Sequence, residues 1–160
     1  MTIRWISPPR ATVFAVLTLA FVAIPAVSQE EKIRRSDLPA AVAATVAAQS
    51  QGSTVRGFSK EREKGQTYYE AELEVGGHSK DILIDTKGNV VEVEEEVAMD
   101  ALPATVRDGL WAKAAGATLA KVESLTKLGK LVAYEAQVVA KGKKSEIQVG
   151  PDGKTLDHLE

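Results

Sequence analysis

The sequence predicts an α+β fold made of two tandem units, each with one α-helix packed on a four-stranded antiparallel β-sheet. Three observations predict it. Short motifs occur twice in the same order. After the Leu-Pro motif of each copy, apolar residues recur at three- and four-residue steps. Further along each copy, apolar residues recur at every second position. These spacings are typical of a helix followed by strands. Because the units, residues 29–98 and 99–160, are small, we expect them to pack together or to continue one sheet.

The repeated motifs keep their order and spacing along the chain. The matched pairs are Leu38-Pro39-Ala40 with Leu102-Pro103-Ala104, Tyr69-Glu70-Ala71 with Tyr134-Glu135-Ala136, and Gly88 with Gly153. The first pair is 64 residues apart and the other two pairs are 65 residues apart. An ordered series of this kind indicates an internal duplication.

Each helix is expected to begin at a capping side chain, to carry a proline in its first turn and to end at a glycine. The residues in these roles are Ser36 or Asp37, Pro39 and Gly52 in the first unit, and Asp100, Pro103 and Gly116 in the second. Between them, Val42 and Val46, and Val106 and Leu110, form one apolar stripe per helix.

Alternating apolar and charged residues predict four strands after each helix. In the segment beginning at Tyr69, for example, every second residue is apolar and the residues between are glutamates. The predicted strands are residues 54–62, 66–75, 79–85 and 89–96 in the first unit, and 118–126, 131–140, 144–149 and 154–159 in the second. One sheet face should therefore be apolar and the other charged.

Residues 1–28 are expected to be a cleaved signal peptide. Arg4 and Arg10 precede or flank an apolar run from Ala11 to Ile24, and Ala26-Val27-Ser28 offers small residues for cleavage. The apolar run is shorter than the roughly 20 residues that a membrane-spanning helix needs. We therefore expect an exported protein, periplasmic or extracellular, without a stable membrane anchor after cleavage.

Composition excludes several classes of function. The chain has no cysteine, so disulfides, thiolate metal sites and a lipid-attachment cysteine are excluded. It has 20 Lys and Arg against 22 Asp and Glu, and basic residues alternate with acidic ones, as in residues 60–64. A nucleic-acid-binding protein needs clustered positive charge, so no nucleic-acid partner is expected.

The repeated motifs resemble those of the PepSY superfamily, in particular its PepSY-like members related to β-lactamase-inhibitor proteins. The resemblance covers about residues 36–160 and rests on the Leu-Pro helix start, the Tyr-Glu-Ala strand and the glycine turn before the last strand. It implies exported proteins with binding or inhibitory roles. Because this chain lacks the disulfides of the inhibitors and has no peptidase domain, inhibition of a β-lactamase is not implied.

No residue pattern indicates catalysis. His78 lies beside a glycine turn and is matched by Lys143 in the second copy, and His158 lies near the carboxyl terminus without an acidic cluster that recurs in the other copy. No serine lies in a Gly-x-Ser-x-Gly motif, and the glycines form neither a phosphate loop nor a dinucleotide fingerprint. We expect a protein that is not an enzyme and uses no cofactor.

Two acidic segments are candidates for cation binding. Residues 85–89 have oxygen-bearing side chains, but they lack the regular ligand spacing of a calcium loop, so a tight turn is favoured. The run of Glu92 and Glu94 to Glu96 is interpreted either as a binding face or as a sheet edge protected by charge.

The candidate partner-binding residues combine three aromatic residues with two residues of the acidic run: Trp111, Tyr69, Tyr134, Glu92 and Glu94. Trp111 lies slightly off the apolar stripe of its helix, where packing and partner contact are both consistent with its position. The first hypothesis is a module that binds an exported protein or peptide, and it includes inhibition of an exported enzyme such as a peptidase. The alternative is an envelope protein that binds or senses a small molecule or a divalent cation.

Overall fold

The structure, a computed structural model, describes residues 29–160. The predicted signal peptide, residues 1–28, lies outside the described residues. Within the described part, no helix is long and apolar enough to span a membrane.

Eight strands form one antiparallel sheet in which neighbours in the sheet are also neighbours in the chain, from the first strand at one edge to the last at the other. The strands are β1 (Gln29–Lys32), β2 (Thr54–Glu63), β3 (Gln66–Val75), β4 (His78–Asp85), β5 (Val90–Glu96), β6 (Thr118–Lys127), β7 (Lys130–Ala140) and β8 (Lys143–Val149). Two helices interrupt this order, α1 (Ala40–Gln49) after β1 and α2 (Ala104–Ala114) after β5, and a short 3-10 helix (Arg35–Asp37) precedes α1.

The prediction of two units, each with its own four-stranded sheet, is wrong. Strands β5 and β6 pair from Glu92 opposite Lys127 to Glu96 opposite Glu123, so one sheet runs through the whole described chain. Residues 154–159 form no strand, because the chain turns back at Gly150 and only Thr155 makes a single bridge to Val149. Strand β1, which the alternation did not predict, extends the sheet beyond β2.

The caps of the helices also differ from the prediction. Pro39 and Pro103 occupy the position before the first helical residue, and no side chain caps either helix. The Asp37 carboxylate instead accepts a hydrogen bond of 3.1 Å from the backbone N–H of Arg34, at the start of the 3-10 helix. At the carboxyl end of α2, Ala115 adopts the left-handed conformation and precedes Gly116.

Both helices lie on the same face of the sheet and each covers its own core. Val42 and Val46 of α1 pack in a cluster with buried side chains of β2, β3 and β4, among them Ile82. Val106 and Leu110 of α2 pack with β6, β7 and β8. Burial of an aliphatic side chain of this size contributes roughly 1.5–3 kcal/mol, so these two clusters hold the helices on the sheet.

Two turns approach the helices so closely that a side chain would not fit. A Cβ atom on Gly88 would lie 2.8 Å from the carbonyl oxygen of Ala41 in α1, and one on Gly153 would lie 2.0 Å from the carbonyl oxygen of Thr105 in α2. Both glycines have positive φ angles, +89° and +80°. Glycine is therefore needed there for its conformation and for the absence of a side chain.

Candidate functional site

The face of the sheet opposite the helices carries the candidate site. Neighbouring residues in a strand point to opposite faces, so Val93 of β5 packs on the α1 core while Glu92 and Glu94 point to the other side. Partners in register share a face, and Glu94 lies opposite Asp81 of β4. The alternation that builds the core thus collects carboxyl groups on the face without helices.

These carboxyl groups surround a cavity of about 550 Å³, which we call the acidic cavity. Its lining residues are Glu30, Glu61, Glu70, Asp81, Leu83, Glu92, Glu94 and Glu146. They come from β1 to β5 and from β8, so the sheet curves until its last strand faces the first five. The lining has seven carboxyl groups and no lysine or arginine.

Hydroxyl and amide groups fix several carboxylates beside the cavity. The fully buried hydroxyl of Ser59 donates a hydrogen bond of 2.7 Å to Glu70. The amide of Gln148 donates one of 2.7 Å to Glu135. These side chains are therefore held in place before any ligand arrives.

Basic side chains lie around the cavity and pair with only some of its acids. Lys127 lies 3.4 Å from the carboxylate of Glu92, and Lys121 lies 2.6 Å from that of Glu123. Lys32 contacts both Glu30 and Glu72. Across residues 29–160, no basic group lies within 4.0 Å of the carboxylates of Glu61, Asp81 or Glu94, so the cavity keeps an excess of negative charge.

Burial and mutual repulsion raise the pKa values of these unpaired acids. Burial is the main cause in each case, and charges of neighbouring carboxylates add to it. The pKa of Glu61 is raised to about 7, that of Asp81 to about 6 and that of Glu94 to about 8. The pKa of Glu135 is also raised, mainly by burial.

Two groups of three acids have the geometry to hold a metal ion. One consists of Glu30, Glu70 and Glu72, and the other of Asp81, Glu94 and Glu123. In each group the oxygen atoms lie within 4.8 Å of one another. Carboxylate oxygens in this number suit Ca²⁺ or Mg²⁺, which take oxygen ligands.

The structure separates the predicted partner-binding residues. Glu92 and Glu94 lie together in the acidic cavity. Tyr69 and Tyr134 are half-buried against the two cores on the helix side, and Trp111 is 50% exposed on α2. Partner binding by these residues stays a prediction.

Two interpretations of the acidic segments are resolved by the structure. The run from Glu92 to Glu96 is not a sheet edge, because β5 lies between β4 and β6. The carboxylate of Asp85 accepts hydrogen bonds from the backbone N–H groups of Lys87 and Asn89, at 2.8 and 2.9 Å, and one from the Asn89 side chain. This carboxylate therefore stabilises its own turn.

Several site residues were not identified as such in the sequence. Glu61 stands between Lys60 and Arg62 in a mixed-charge run that resembles an ordinary solvated segment, yet it lines the cavity. Asp81 and Glu146 also line it. The strand alternation could have predicted the position of Glu61, because neighbouring residues in a strand point to opposite faces and Lys60 therefore points to the helix side.

Comparison with solved structures identifies bacterial proteins with a similar fold. A protein from Bacteroides eggerthii that is described as periplasmic is 19% identical, with a TM-score of 0.60 over 74% of this chain and 85% of that one. The chain shares the fold of these proteins. A BLIP-like protein from Bacteroides fragilis is 20% identical, with a TM-score of 0.54 over 72% of this chain and 81% of the other. A DUF2874 family protein from Bacteroides uniformis is 21% identical, with a TM-score of 0.57 over 72% and 84%.

No protein-family model matches the chain, and neither does any curated protein. The structure from Bacteroides fragilis is described as BLIP-like, and at 20% identity the likeness shows a shared fold. The expected export agrees with the periplasmic description of the neighbour from Bacteroides eggerthii. The PepSY resemblance, the duplication and the signal peptide stay predictions.

Proposed function

We propose that this chain is an exported, non-catalytic binding module that holds a cationic ligand in the acidic cavity. The ligand proposed first is a segment of another exported protein that carries lysine or arginine. The observation that carries the proposal is the cavity lining, which has seven carboxyl groups and no basic side chain. Inhibition or regulation of an exported enzyme would follow if the bound segment belongs to that enzyme.

The electrostatics of the cavity favour a ligand with several positive charges. Charges attract each other more strongly in a partly desolvated cleft than in water, and a cleft lined by one sign of charge concentrates the opposite sign. Leu83 adds an apolar contact on which the methylene groups of a lysine can lie. A lysine or arginine side chain thus matches both the charge and the apolar part of the lining.

The size of the cavity limits what can enter it. About 550 Å³ falls within the range of roughly 300–1,000 Å³ that is common for clefts holding small ligands. Such a volume accommodates a few side chains of a partner but no folded domain. A short extended or looped segment therefore fits best.

Export and duplication are parts of the same proposal. Export is supported by the pattern of residues 1–28 and by the periplasmic description of a structural neighbour. A PepSY-like duplication is supported by the two glycine turns: Gly88 and Gly153 are matched in sequence, and they approach the matched residues Ala41 and Thr105.

Replacement of Glu92 and Glu94 together by glutamine should weaken binding of a lysine decapeptide by about tenfold or more at pH 9 and low salt, because two attracting charges are lost. Fluorescence anisotropy of the labelled peptide measures this affinity. The matched control is Glu95→Gln, since Glu95 lies on the same strand but is exposed on the helix side, where it pairs with Lys80.

Two results would contradict the proposal. One is equal loss of affinity in the Glu95→Gln control, which would mean that only net charge matters. The other is an unmodified protein that binds the lysine decapeptide no better than a glutamate decapeptide of the same length. Binding should also weaken as salt rises from about 0.05 to 0.5 M, because salt screens these charges.

The second candidate function is binding of a divalent cation, and it is favoured by the two groups of three acids. If Asp81, Glu94 and Glu123 hold Ca²⁺, millimolar calcium should raise the melting temperature, since a ligand that binds only the folded state stabilises it by about 2.7 kcal/mol at 100 times its Kd. Calorimetric melting with and without calcium measures this. Asp81→Asn should abolish the shift, and Asp108→Asn, on an exposed position of α2, should preserve it. An unchanged melting temperature at 10 mM calcium excludes this candidate.

A further inference from the structure

We propose that Asp152 is a site of spontaneous conversion of aspartate to isoaspartate, and that packing of its turn on α2 controls the rate. Two aspartates in the sequence, Asp108 and Asp152, are followed by glycine. Glycine has no side chain to shield its backbone nitrogen, so Asp-Gly sequences undergo this reaction fastest. The site lies on the helix side of the sheet, and the acidic cavity is on the opposite side.

The reaction requires only water. The backbone nitrogen of Gly153 loses its proton and attacks the side-chain carboxyl carbon of Asp152. The new C–N bond closes a five-membered succinimide ring, and one carboxyl oxygen leaves as water. Water then opens the ring again. Cleavage of the new C–N bond restores aspartate, whereas cleavage of the original peptide C–N bond leaves isoaspartate, in which the backbone runs through the side chain.

The two Asp-Gly sequences lie in different kinds of backbone. Asp108 and Gly109 are in the middle of α2, where the N–H of Gly109 donates to the carbonyl oxygen four residues earlier and the helix fixes the backbone. Asp152 lies in the turn that follows β8, and its side chain is exposed. A surface turn opens more readily than the middle of a helix, so Asp152 is the more reactive of the two.

The glycines of both sequences meet where the turn packs on α2. A Cβ atom on Gly109 would lie 2.0 Å from the carbonyl oxygen of Gly153, and a Cβ atom on Gly153 would lie 2.0 Å from the carbonyl oxygen of Thr105. This contact therefore requires glycine at both positions. The fold itself thus retains a chemically labile sequence at the turn.

In the packed turn, both reacting groups are engaged. The N–H of Gly153 donates a hydrogen bond of 2.8 Å to the carbonyl oxygen of Gly150. The Asp152 carboxylate accepts one of 3.0 Å from the N–H of Lys154, and the Lys154 ammonium lies 2.9 Å from it. The hydrogen bond to this ammonium lowers the pKa of Asp152, so the carboxyl stays ionised and loses water less readily. Ring closure therefore occurs mainly when the turn opens.

Conversion should in turn loosen the contact with α2. Isoaspartate adds one methylene group to the backbone at position 152, immediately before the glycine that packs on the helix. The lengthened turn no longer places Gly153 against Thr105 in the same way. Molecules that have converted should therefore be less stable than molecules that have not.

The test is incubation of the purified protein at pH 7, folded or unfolded in urea, followed by peptide mapping. Mass spectrometry with electron-based fragmentation distinguishes isoaspartate from aspartate at each position. We expect conversion at Asp152 to be about tenfold or more slower in the folded protein than in the unfolded chain. Asp108 should convert only in the unfolded chain.

Two substitutions test the control by packing. Gly109→Ala leaves the Asp152-Gly153 sequence unchanged but forces the turn away from α2, so conversion at Asp152 should be about threefold or more faster. Gly142→Ala is the matched control, because no atom lies within 4 Å of its Cβ position, and the rate should not change. Urea below the unfolding midpoint should also accelerate conversion in the unsubstituted protein, which gives the same test if Gly109→Ala does not fold.

Three results would overturn the proposal. Equal rates at Asp152 in the folded and unfolded protein would show that packing does not control the reaction. Earlier conversion of Asp108 than of Asp152 in the folded protein would show that the reactive site is in the helix. Absence of isoaspartate at Asp152 even in the unfolded chain would show that this sequence does not react.

Discussion

Replacement of Gly153 by alanine is expected to lower the melting temperature by roughly 10 °C or more and the free energy of unfolding by about 3 kcal/mol. The new Cβ atom would lie 2.0 Å from the carbonyl oxygen of Thr105, so the turn and α2 must move apart. The positive φ angle of +80° adds strain for any residue with a side chain. Thermal and urea unfolding followed by circular dichroism measure the loss.

The contribution of the helix contact can be separated from that of the φ angle. Gly142 has a similar φ of +76°, and no atom lies within 4 Å of the position that its Cβ would take, so Gly142→Ala should cost only about 1 kcal/mol. In α2, Gly109→Ala would normally stabilise a helix by about 1 kcal/mol. Its Cβ would lie 2.0 Å from the carbonyl oxygen of Gly153, so we expect destabilisation instead. Equal stability of the Gly153 and Gly142 variants would contradict the close approach.

Stability should fall as the pH rises from 5 to 9, and Glu94 should be a main cause. Its pKa is raised from 4.5 to about 8 in the folded state. A group that holds its proton more tightly when folded stabilises the fold at low pH, and this contribution is lost as the pH rises towards the folded pKa. We expect Glu94 to account for about 2 kcal/mol of the fall, less than the full shift implies because the side chain is partly solvated.

Urea unfolding of the protein and of Glu94→Gln at pH 5, 7 and 9 checks this expectation. Glutamine cannot ionise, so the stability of the variant should decline less, and its advantage over the unsubstituted protein should grow with pH. Glu95→Gln should follow the pH dependence of the unsubstituted protein. Parallel curves for the protein and Glu94→Gln would show that Glu94 ionises freely in the folded state. Asp85 should not contribute to the change in stability between pH 5 and 9, because its hydrogen bonds with Asn89 lower its pKa.

Local patterns in the sequence were sufficient to locate most elements. Seven of the eight predicted strands are present within one or two residues of their bounds, because alternation reports directly which residues face the core. The same alternation identified Glu70 and Glu72 as members of a charged face. The predicted strand at residues 154–159 failed because the turn at Gly150 redirects the chain after β8.

The pairing of distant strands and the curvature of the sheet could not be predicted from the alternation within single strands. The pairing of β5 with β6 depends on two segments separated by α2, and no periodicity encodes which strands become neighbours. The acidic cavity depends in addition on the curvature that brings Glu146 of β8 towards Glu61 of β2. Curvature arises from the accumulated twist of eight strands, so the sequence of any one strand does not contain it.

The order of the strands has a consequence for how the chain becomes folded. Every strand pairs only with its immediate predecessor and successor along the chain. Contacts between sequence neighbours close small loops, which is fast and costs little entropy. A sheet of this order can grow strand by strand from its amino end as the polypeptide emerges, so vectorial assembly would leave only the outer edge of β1 and the free edge of the most recently added strand without a partner.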